Sequence, residues 1–182
     1  MSKNIYLILS SSSSVPAKLI KFFTHNKLNH SSIALEPSLT KMFSFGRLKM
    51  WNAFYAGFVV ENKDKGFYQK FTDTYIQLYA FPVSDETYLK TKIYLEKCEN
   101  EKTSFKYNMI GTVLSKFKIP LVREKQYFCS EFVAVVFKEC NIREMKGDIH
   151  IYHPYNFLDL PNKKLLYDGM LADYRVENIP KH

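Results

Sequence analysis

The feature that most constrains the fold is a long apolar helix in the last third of the chain. The segment from Phe128 to Cys140 reads FCSEFVAVVFKEC. Its apolar side chains recur with the spacing of one helical face and then widen that face: Phe132, Val133, Ala134, Val135, Val136 and Phe137. A helix that is apolar around most of its circumference has to be covered by other elements. The rest of the chain must therefore supply a layer that buries it.

Segments rich in β-branched and aromatic residues predict that this layer is a β-sheet. The predicted strands are NIYLILSS, HSSIALE, KMFSFG, FYAGFVVEN and TYIQLYAFPV, and KLLYDG is a further strand or a turn. Other helices are predicted in VPAKLIKFFTHN, from a Ser84 cap to about Asn100, and in NMIGTVLSKF. The pattern is that of an α+β fold, with a mainly antiparallel sheet packed on the buried helix. A length of 182 residues indicates one domain spanning 1–182.

The charge of the chain narrows the classes of partner. The formal net charge is +8, which favours anionic partners, but the lysines are scattered and form no run of five. Long basic blocks mark nucleic-acid-binding tails, so no nucleic-acid partner is expected. Peripheral contact with an anionic membrane or polymer is compatible with this charge.

The N-terminal sequence and the cysteines bear on location. The apolar stretch Ile5–Leu9 is shorter than the roughly 7–15 residues of a signal peptide, and no segment reaches the roughly 20 apolar residues that span a bilayer. The cysteines, Cys98, Cys129 and Cys140, are odd in number and widely spaced. This pattern predicts reduced thiols rather than a disulfide framework, and a cytoplasmic protein.

Cys129 is the candidate nucleophile among the three cysteines. It is placed at the predicted start of the buried helix, where unpaired N–H groups and a partial positive charge stabilise a thiolate. The same N–H groups, including that of Cys129, can donate to a developing oxyanion. A buried small hydrophobe is the alternative interpretation of any single cysteine. Cys140 lies at the predicted helix end and Cys98 lacks a comparable position, so both are interpreted as packing residues.

A thiolate nucleophile usually needs a base, and His30 is the best placed histidine. His30 opens a predicted strand, which is a rigid mount. His25 and His150 fall in predicted loops, His153 precedes a proline, and His182 is the last residue. A purely structural histidine is the alternative.

The order of strand-borne His30 before helix-borne Cys129 resembles the circularly permuted papain-like superfamily. That superfamily includes the NlpC-type amidases and peptidases, the YiiX-like proteins and the lecithin retinol acyltransferase group. NHSSIALEPSLTKMFSFGR and YFCSEFVAVVF are the specific parts of the resemblance, and FYAGFVVE, FKYNMIG and HPYNFLDLP are weaker blocks of a small YiiX-like bacterial branch. The resemblance implies an antiparallel sheet or half-barrel packed on the helix that carries the cysteine. It also implies that Cys129 is the nucleophile and His30 the base.

The resemblance implies a third polar residue on the strand after the histidine. Counting along TKMFSFGR places Ser44 there. A serine can orient the imidazole but cannot neutralise an imidazolium as a carboxylate would. Glu36 is the other candidate, although six residues along an extended strand place it roughly 20 Å from His30. Ser44 is therefore the predicted third residue.

These residues predict a cysteine-dependent hydrolase or acyltransferase that acts on an amide or ester through a Cys129 thioester. The resemblance allows a small peptide, an N-acyl compound or a lipid-like molecule as substrate. The alternative is a non-enzymatic binding module on the same fold, which a serine in place of a carboxylate would suit. A zinc site of Cys129, His30 and a carboxylate is disfavoured because closely spaced ligand pairs are missing from the sequence. No cofactor and no metal are expected.

Overall fold

The computed structural model describes residues 3–11, 28–49 and 52–179. The helix predicted in VPAKLIKFFTHN lies outside the described residues. The other predicted strands and helices fall within them.

A six-stranded antiparallel sheet forms the centre of the molecule, in the order β4-β3-β2-β1-β5-β8. Its strands are β1 (Lys3–Ser11), β2 (His30–Ala34), β3 (Met42–Lys49), β4 (Asn52–Glu61), β5 (Tyr75–Val83) and β8 (Lys164–Met170). Two short strands, β6 (Lys106–Tyr107) and β7 (Gln126–Tyr127), form a separate parallel ladder. The segment KLLYDG is thus a strand rather than a turn.

The helices lie between and after these strands. The α-helices are α1 (Phe67–Lys70), α2 (Asp85–Asn100), α3 (Met109–Leu114) and α4 (Cys129–Glu139). Short 3-10 helices span Lys102–Ser104, Ser115–Phe117, Ile149–Ile151, Pro154–Asp159, Leu171–Asp173 and Val176–Asn178. Ser84 caps α2 as predicted, because its hydroxyl accepts from the amide of Thr87 at 3.1 Å.

The central strands are apolar on both sides, so the sheet has a core on each face. Leu7 and Leu9 belong to the cluster that contains α4, whereas Ile8, between them, belongs to the cluster beneath Leu171 and Tyr174. This alternation is the period-two pattern of a strand buried on both faces.

The helix α4 is buried along nearly its whole length. Phe132 packs against Phe45 and Phe58 with ring centroids at 5.1 and 5.6 Å. Full burial of one such side chain contributes roughly 1.5–3 kcal/mol. The aromatic contacts lie within the first turn of α4, and they hold that end of the helix against β3 and β4.

The structure confirms an α+β fold built on an antiparallel sheet with a buried helix packed on it. The parallel β6–β7 ladder was not predicted, because two-residue strands carry no periodic pattern. Among the described residues, no helix is long and apolar enough to cross a membrane.

Candidate active site

Cys129 is the first residue of α4, and a local hydrogen bond fixes that helix start. The carboxylate of Glu131 accepts from the amide of Phe128, the residue before the helix, at 3.3 Å. A carboxylate at this place also suits the positive end of the helix dipole. Cys129 is only 7% exposed, so its thiol is at the inner wall of a pocket rather than on the open surface.

The sheet opens between β2 and β3 beside this thiol. β2 pairs with β1 from His30 to Ala34, but with β3 only at Ile33 and Ala34. Ser31 therefore has backbone groups that no strand uses on the β3 side. Its carbonyl accepts from the hydroxyl of Ser44 at 2.6 Å, and its amide lies within hydrogen-bonding reach of the Cys129 sulfur. The gap in the ladder is the place where the start of α4 meets the sheet.

His30 lies between this thiol and a carboxylate. Its Nε2 is 2.9 Å from Oε1 of Glu61, the last residue of β4. The imidazole is also within hydrogen-bonding reach of the Cys129 thiol. Since Nε2 is taken by the carboxylate, Nδ1 is the nitrogen that remains for the thiol. The three side chains form a thiol–imidazole–carboxylate chain, the arrangement that activates a sulfur nucleophile.

The electrostatic environment of these three side chains favours the charged forms of both the Cys129 thiol and the His30 imidazole. Burial opposes a charged imidazole, but the charges and hydrogen bonds of Glu61 and Cys129 raise the pKa of His30 well above its usual value. Burial likewise opposes a thiolate, but His30 and the amides of Ser31 and Ser130 lower the pKa of Cys129. The arrangement therefore stabilises a thiolate–imidazolium pair.

Glu61 is held in its charged form by surrounding donors. The hydroxyl of Ser32 donates to Oε2 at 2.6 Å, and the hydroxyl of Tyr68 approaches the same oxygen at 3.3 Å. Burial raises the pKa of this carboxyl, but the His30 charge and the hydrogen bonds from His30, Ser32 and Tyr68 outweigh it and lower the pKa. A charged carboxylate can both orient His30 and neutralise its imidazolium form.

The environments of the other two thiols raise their pKa rather than lowering it. Burial raises the pKa of Cys98 to about 11. Burial also raises the pKa of Cys140, which follows the last residue of α4. Both thiols are free and buried in the apolar cluster around α4. The chain therefore contains two internal comparisons for the reactivity of Cys129.

Sequence reasoning missed Glu61, and the structure places the two residues it considered elsewhere. Ser44 donates to the backbone of Ser31 rather than to the ring of His30. Glu36 is exposed in the turn after β2. Glu61 closes the fourth predicted strand, FYAGFVVEN, whereas the two predicted candidates lie on the strand of His30 and on the strand that follows it. The available signal was a carboxylate closing an otherwise apolar strand, which is an unusual place for one.

The two remaining histidines in the described part of the chain, His150 and His153, have other partners. His25 and His182 lie outside the described residues. His150 pairs with Glu131, with 2.8 Å between Nδ1 and Oε1. His153 stacks on Tyr155 with ring centroids 5.4 Å apart, and burial lowers its pKa.

A narrow pocket of about 40 Å³ leads to Cys129. Its lining comes from residues 28–29, from β6 and α3, from the start of α4, and from the segment 153–155: Leu28, Asn29, Tyr107, Thr112, Lys116, Phe128, Cys129, Ser130, His153, Pro154 and Tyr155. A larger surface cleft of about 520 Å³ lies between the end of α4 and His150, and no thiol lines it. We assign the smaller pocket to the chemistry because it contains the activated sulfur.

Tyr107 adds a donor beside the sulfur. Its hydroxyl oxygen is within reach of the Cys129 amide and the Thr112 hydroxyl. Burial and the negative charge of Cys129 raise the pKa of Tyr107, so the hydroxyl keeps its proton. This hydroxyl, whose oxygen accepts from the Cys129 amide, is a neutral donor beside the atom that would attack a carbonyl.

Across residues 3–11, 28–49 and 52–179, no group of three or more His, Cys, Asp or Glu side chains has an arrangement that could hold a metal ion.

Comparison of the chain with protein-family models, with curated proteins and with solved structures found no match in any of the three.

Proposed function

We propose that the protein is a cysteine-dependent acyl hydrolase or acyltransferase with Cys129 as nucleophile, His30 as base and Glu61 as the residue that orients and charges His30. The observation that carries the proposal is the placement of His30 between Cys129 and Glu61: its Nε2 is 2.9 Å from Oε1 of Glu61, and its ring is within hydrogen-bonding reach of the Cys129 thiol. A purely structural cysteine needs neither an imidazole nor a helix start beside it. The order of these residues on strand and helix is the basis for proposing a permuted papain-like fold.

The reaction follows from the positions of the groups. The Cys129 thiolate attacks the carbonyl carbon of an amide or ester and forms a carbon–sulfur bond. The carbonyl oxygen becomes an oxyanion beside the Tyr107 hydroxyl, which donates to it. As the oxyanion collapses, the bond to the leaving amine or alcohol breaks, and the His30 imidazolium gives that group its proton. Water or an acceptor, deprotonated by His30, then attacks the thioester and restores the thiol.

The carboxylate of Glu61 weakens the alternative that the protein is a non-enzymatic binding module. That alternative drew support from a serine in the third position, which cannot stabilise an imidazolium. Glu61 supplies a carboxylate that lies in contact with His30 and whose pKa is lowered. The polar series around Cys129 therefore includes a carboxylate, which supports the enzyme over the binding module.

Trapping the acyl-enzyme tests the proposal. The protein is incubated with p-nitrophenyl acetate and p-nitrophenyl octanoate, and intact mass and peptide mass spectra are recorded. We expect one acyl group on Cys129, and none at that position in Cys129→Ala. Cys98→Ala is the matched control, and it should acylate like the wild type because the pKa of Cys98 is raised to about 11. Acylation that is equal at Cys98 and Cys129, or absent from both, would contradict the proposed role.

A further inference from the structure

An exposed apolar face lies on α3 and the turn that follows it. The segment presents large apolar side chains to solvent, with Phe117 70% exposed and Val122 63% exposed. The full set is Met109, Ile110, Val113, Phe117, Ile119 and Val122. We call this set the apolar ridge. Single exposed apolar residues are ordinary, but a contiguous group of large ones marks an interaction surface.

The apolar ridge borders the mouth of the Cys129 pocket. On α3 and the 3-10 turn after it, Met109, Val113 and Phe117 are spaced four apart and share one face. Thr112 and Lys116 are also four apart, one position earlier on the helix, and both line the pocket. The edge of the helix that forms the pocket wall is therefore next to the face that projects into solvent.

The opposite side of the mouth also carries exposed apolar groups. Tyr155, which lines the pocket, is 39% exposed, and Leu158 in the same 3-10 helix is 37% exposed. The entrance to the thiol thus has apolar groups on two sides. A surface that covered the apolar ridge would also face the entrance.

The charge of this segment is entirely of one sign. From Lys102 to Arg123 the sequence contains no Asp and no Glu, and its basic residues are Lys102, Lys106, Lys116, Lys118 and Arg123. Glu101, which pairs with Lys125, and Glu124 flank this stretch. In the helix α2, by contrast, the exposed Leu89 and Ile93 are surrounded in sequence by both acidic and basic side chains. Apolar side chains between lysines, without acids, match a surface of anionic headgroups above hydrocarbon.

We propose that the apolar ridge docks the protein on an anionic lipid bilayer, with the pocket of Cys129 opening at that surface. The inference rests on the proposed function, because it assigns acyl compounds held in the bilayer as the substrate class. Phe117 and its apolar neighbours enter the headgroup region, and the lysines beside them contact the phosphates. An acyl compound then reaches Cys129 from the bilayer through the mouth between Lys116 and Tyr155.

Flotation with lipid vesicles tests this docking. The purified full chain is mixed with vesicles of phosphatidylcholine alone or of phosphatidylcholine with phosphatidylglycerol. We expect flotation with the mixed vesicles and little with the neutral ones. Ile110→Ser/Phe117→Ser should lower partitioning at least tenfold, and Lys106→Gln/Lys118→Gln should lower it by about fivefold for each lysine removed. All four side chains are exposed, so the fold does not depend on them.

Leu89→Ser/Ile93→Ser is the matched control. It removes two exposed apolar side chains, Leu89 at 55% and Ile93 at 57%, from α2, where the charges are mixed, and should leave partitioning unchanged within twofold. An equal loss in this control, equal binding to neutral vesicles, or failure of the wild type to float would overturn the docking. So would a concentration-dependent dimer that Ile110→Ser/Phe117→Ser abolishes, because a second copy of the chain would then occupy the ridge.

The failure of the docking can be distinguished from the failure of the proposed function. Cys129→Ala should float like the wild type while forming no acyl-enzyme. Ile110→Ser/Phe117→Ser should be acylated by soluble p-nitrophenyl acetate like the wild type, but should lose activity on p-nitrophenyl palmitate held in mixed vesicles. Flotation without any acylation of Cys129 would overturn the enzyme and leave the docking standing.

Discussion

Two histidine–glutamate pairs flank the start of α4, and they are nearly equal in distance but opposite in electrostatics. His30 is 2.9 Å from Glu61, and His150 is 2.8 Å from Glu131. The hydrogen bonds and the His30 charge lower the pKa of Glu61 despite its burial, whereas burial raises the pKa of Glu131. The Glu131 side chain is 1% exposed and that of Glu61 is 13% exposed.

A short histidine–carboxylate distance does not by itself define what the pair does, because these two pairs have different roles. Glu131 accepts from the Phe128 amide and so caps the helix that carries Cys129. Glu61 reaches the thiol only through His30, so it can affect the charge of the sulfur without touching it. The His150–Glu131 pair therefore positions the start of the helix, and the His30–Glu61 pair is part of the proposed chemistry.

The largest expected effect is that of Glu61→Gln. Glutamine keeps an acceptor for Nε2 of His30 but removes the charge that raises the pKa of His30, so the thiolate loses its imidazolium partner. We expect alkylation of Cys129 by iodoacetamide at pH 6 to slow at least tenfold, and ester turnover to fall about a hundredfold. The pH at which labelling of Cys129 begins should shift to a higher value, because the pKa of Cys129 rises towards its ordinary value.

The matched variant Glu131→Gln should change that labelling rate less than twofold. Ser44→Ala should also leave it within twofold, because Ser44 bonds to Ser31 and not to the ring. A loss in Ser44→Ala as large as the loss in Glu61→Gln would restore Ser44 as the third residue. Labelling of Cys129 no faster than that of Cys98 in the wild type would argue against an activated thiol.

Glu131→Ala is expected to act on stability more than on chemistry. It leaves the buried amide of Phe128 without its acceptor, and the free energy of unfolding should fall by about 1–2 kcal/mol at neutral pH. The raised pKa of Glu131 means that this carboxyl stabilises the fold most when it is protonated, at low pH, and that its contribution declines as pH rises through the folded pKa.

Urea denaturation measures this effect. Glu131→Gln, which keeps an acceptor and removes the buried charge, should be at least as stable as the wild type at neutral pH. If Glu131→Gln were as unstable as Glu131→Ala, the carboxylate charge rather than the cap would be the important feature, and the two pairs would be more alike than their pKa directions indicate.

Among the groups that contact Glu61, the smallest expected effect is that of Tyr68→Phe. This change removes one donor from Oε2 of Glu61 but leaves Ser32, the closer donor at 2.6 Å, in place. The pKa of Glu61 should rise by less than about one pH unit, and ester turnover at neutral pH should change by less than about threefold. A pH–rate profile separates this from Ser32→Ala, for which we expect the larger shift.

Much of the fold was predictable from the sequence because its elements have strong periodic patterns. The apolar segment of α4, the aliphatic and aromatic run of β1 and the Ser84 cap each reflect a local rule. The β2–β3 gap was not predictable, because it depends on which residues of β2 find partners across the sheet. Cys129 and His30 were candidates on local grounds, whereas the contact of Glu61 with His30 depends on how a strand two positions away in the sheet ends.

The burial of α4 has a consequence for how the site can move. Every residue of the helix from Cys129 to Phe137 is buried, so Cys129 belongs to the same cooperative unit as the core. Amide hydrogen exchange along this helix should report global unfolding rather than local opening. A site of this kind cannot be switched by loosening the element that bears it. Control of the proposed activity must instead come from access, through whatever covers or uncovers the entrance between α3 and Tyr155.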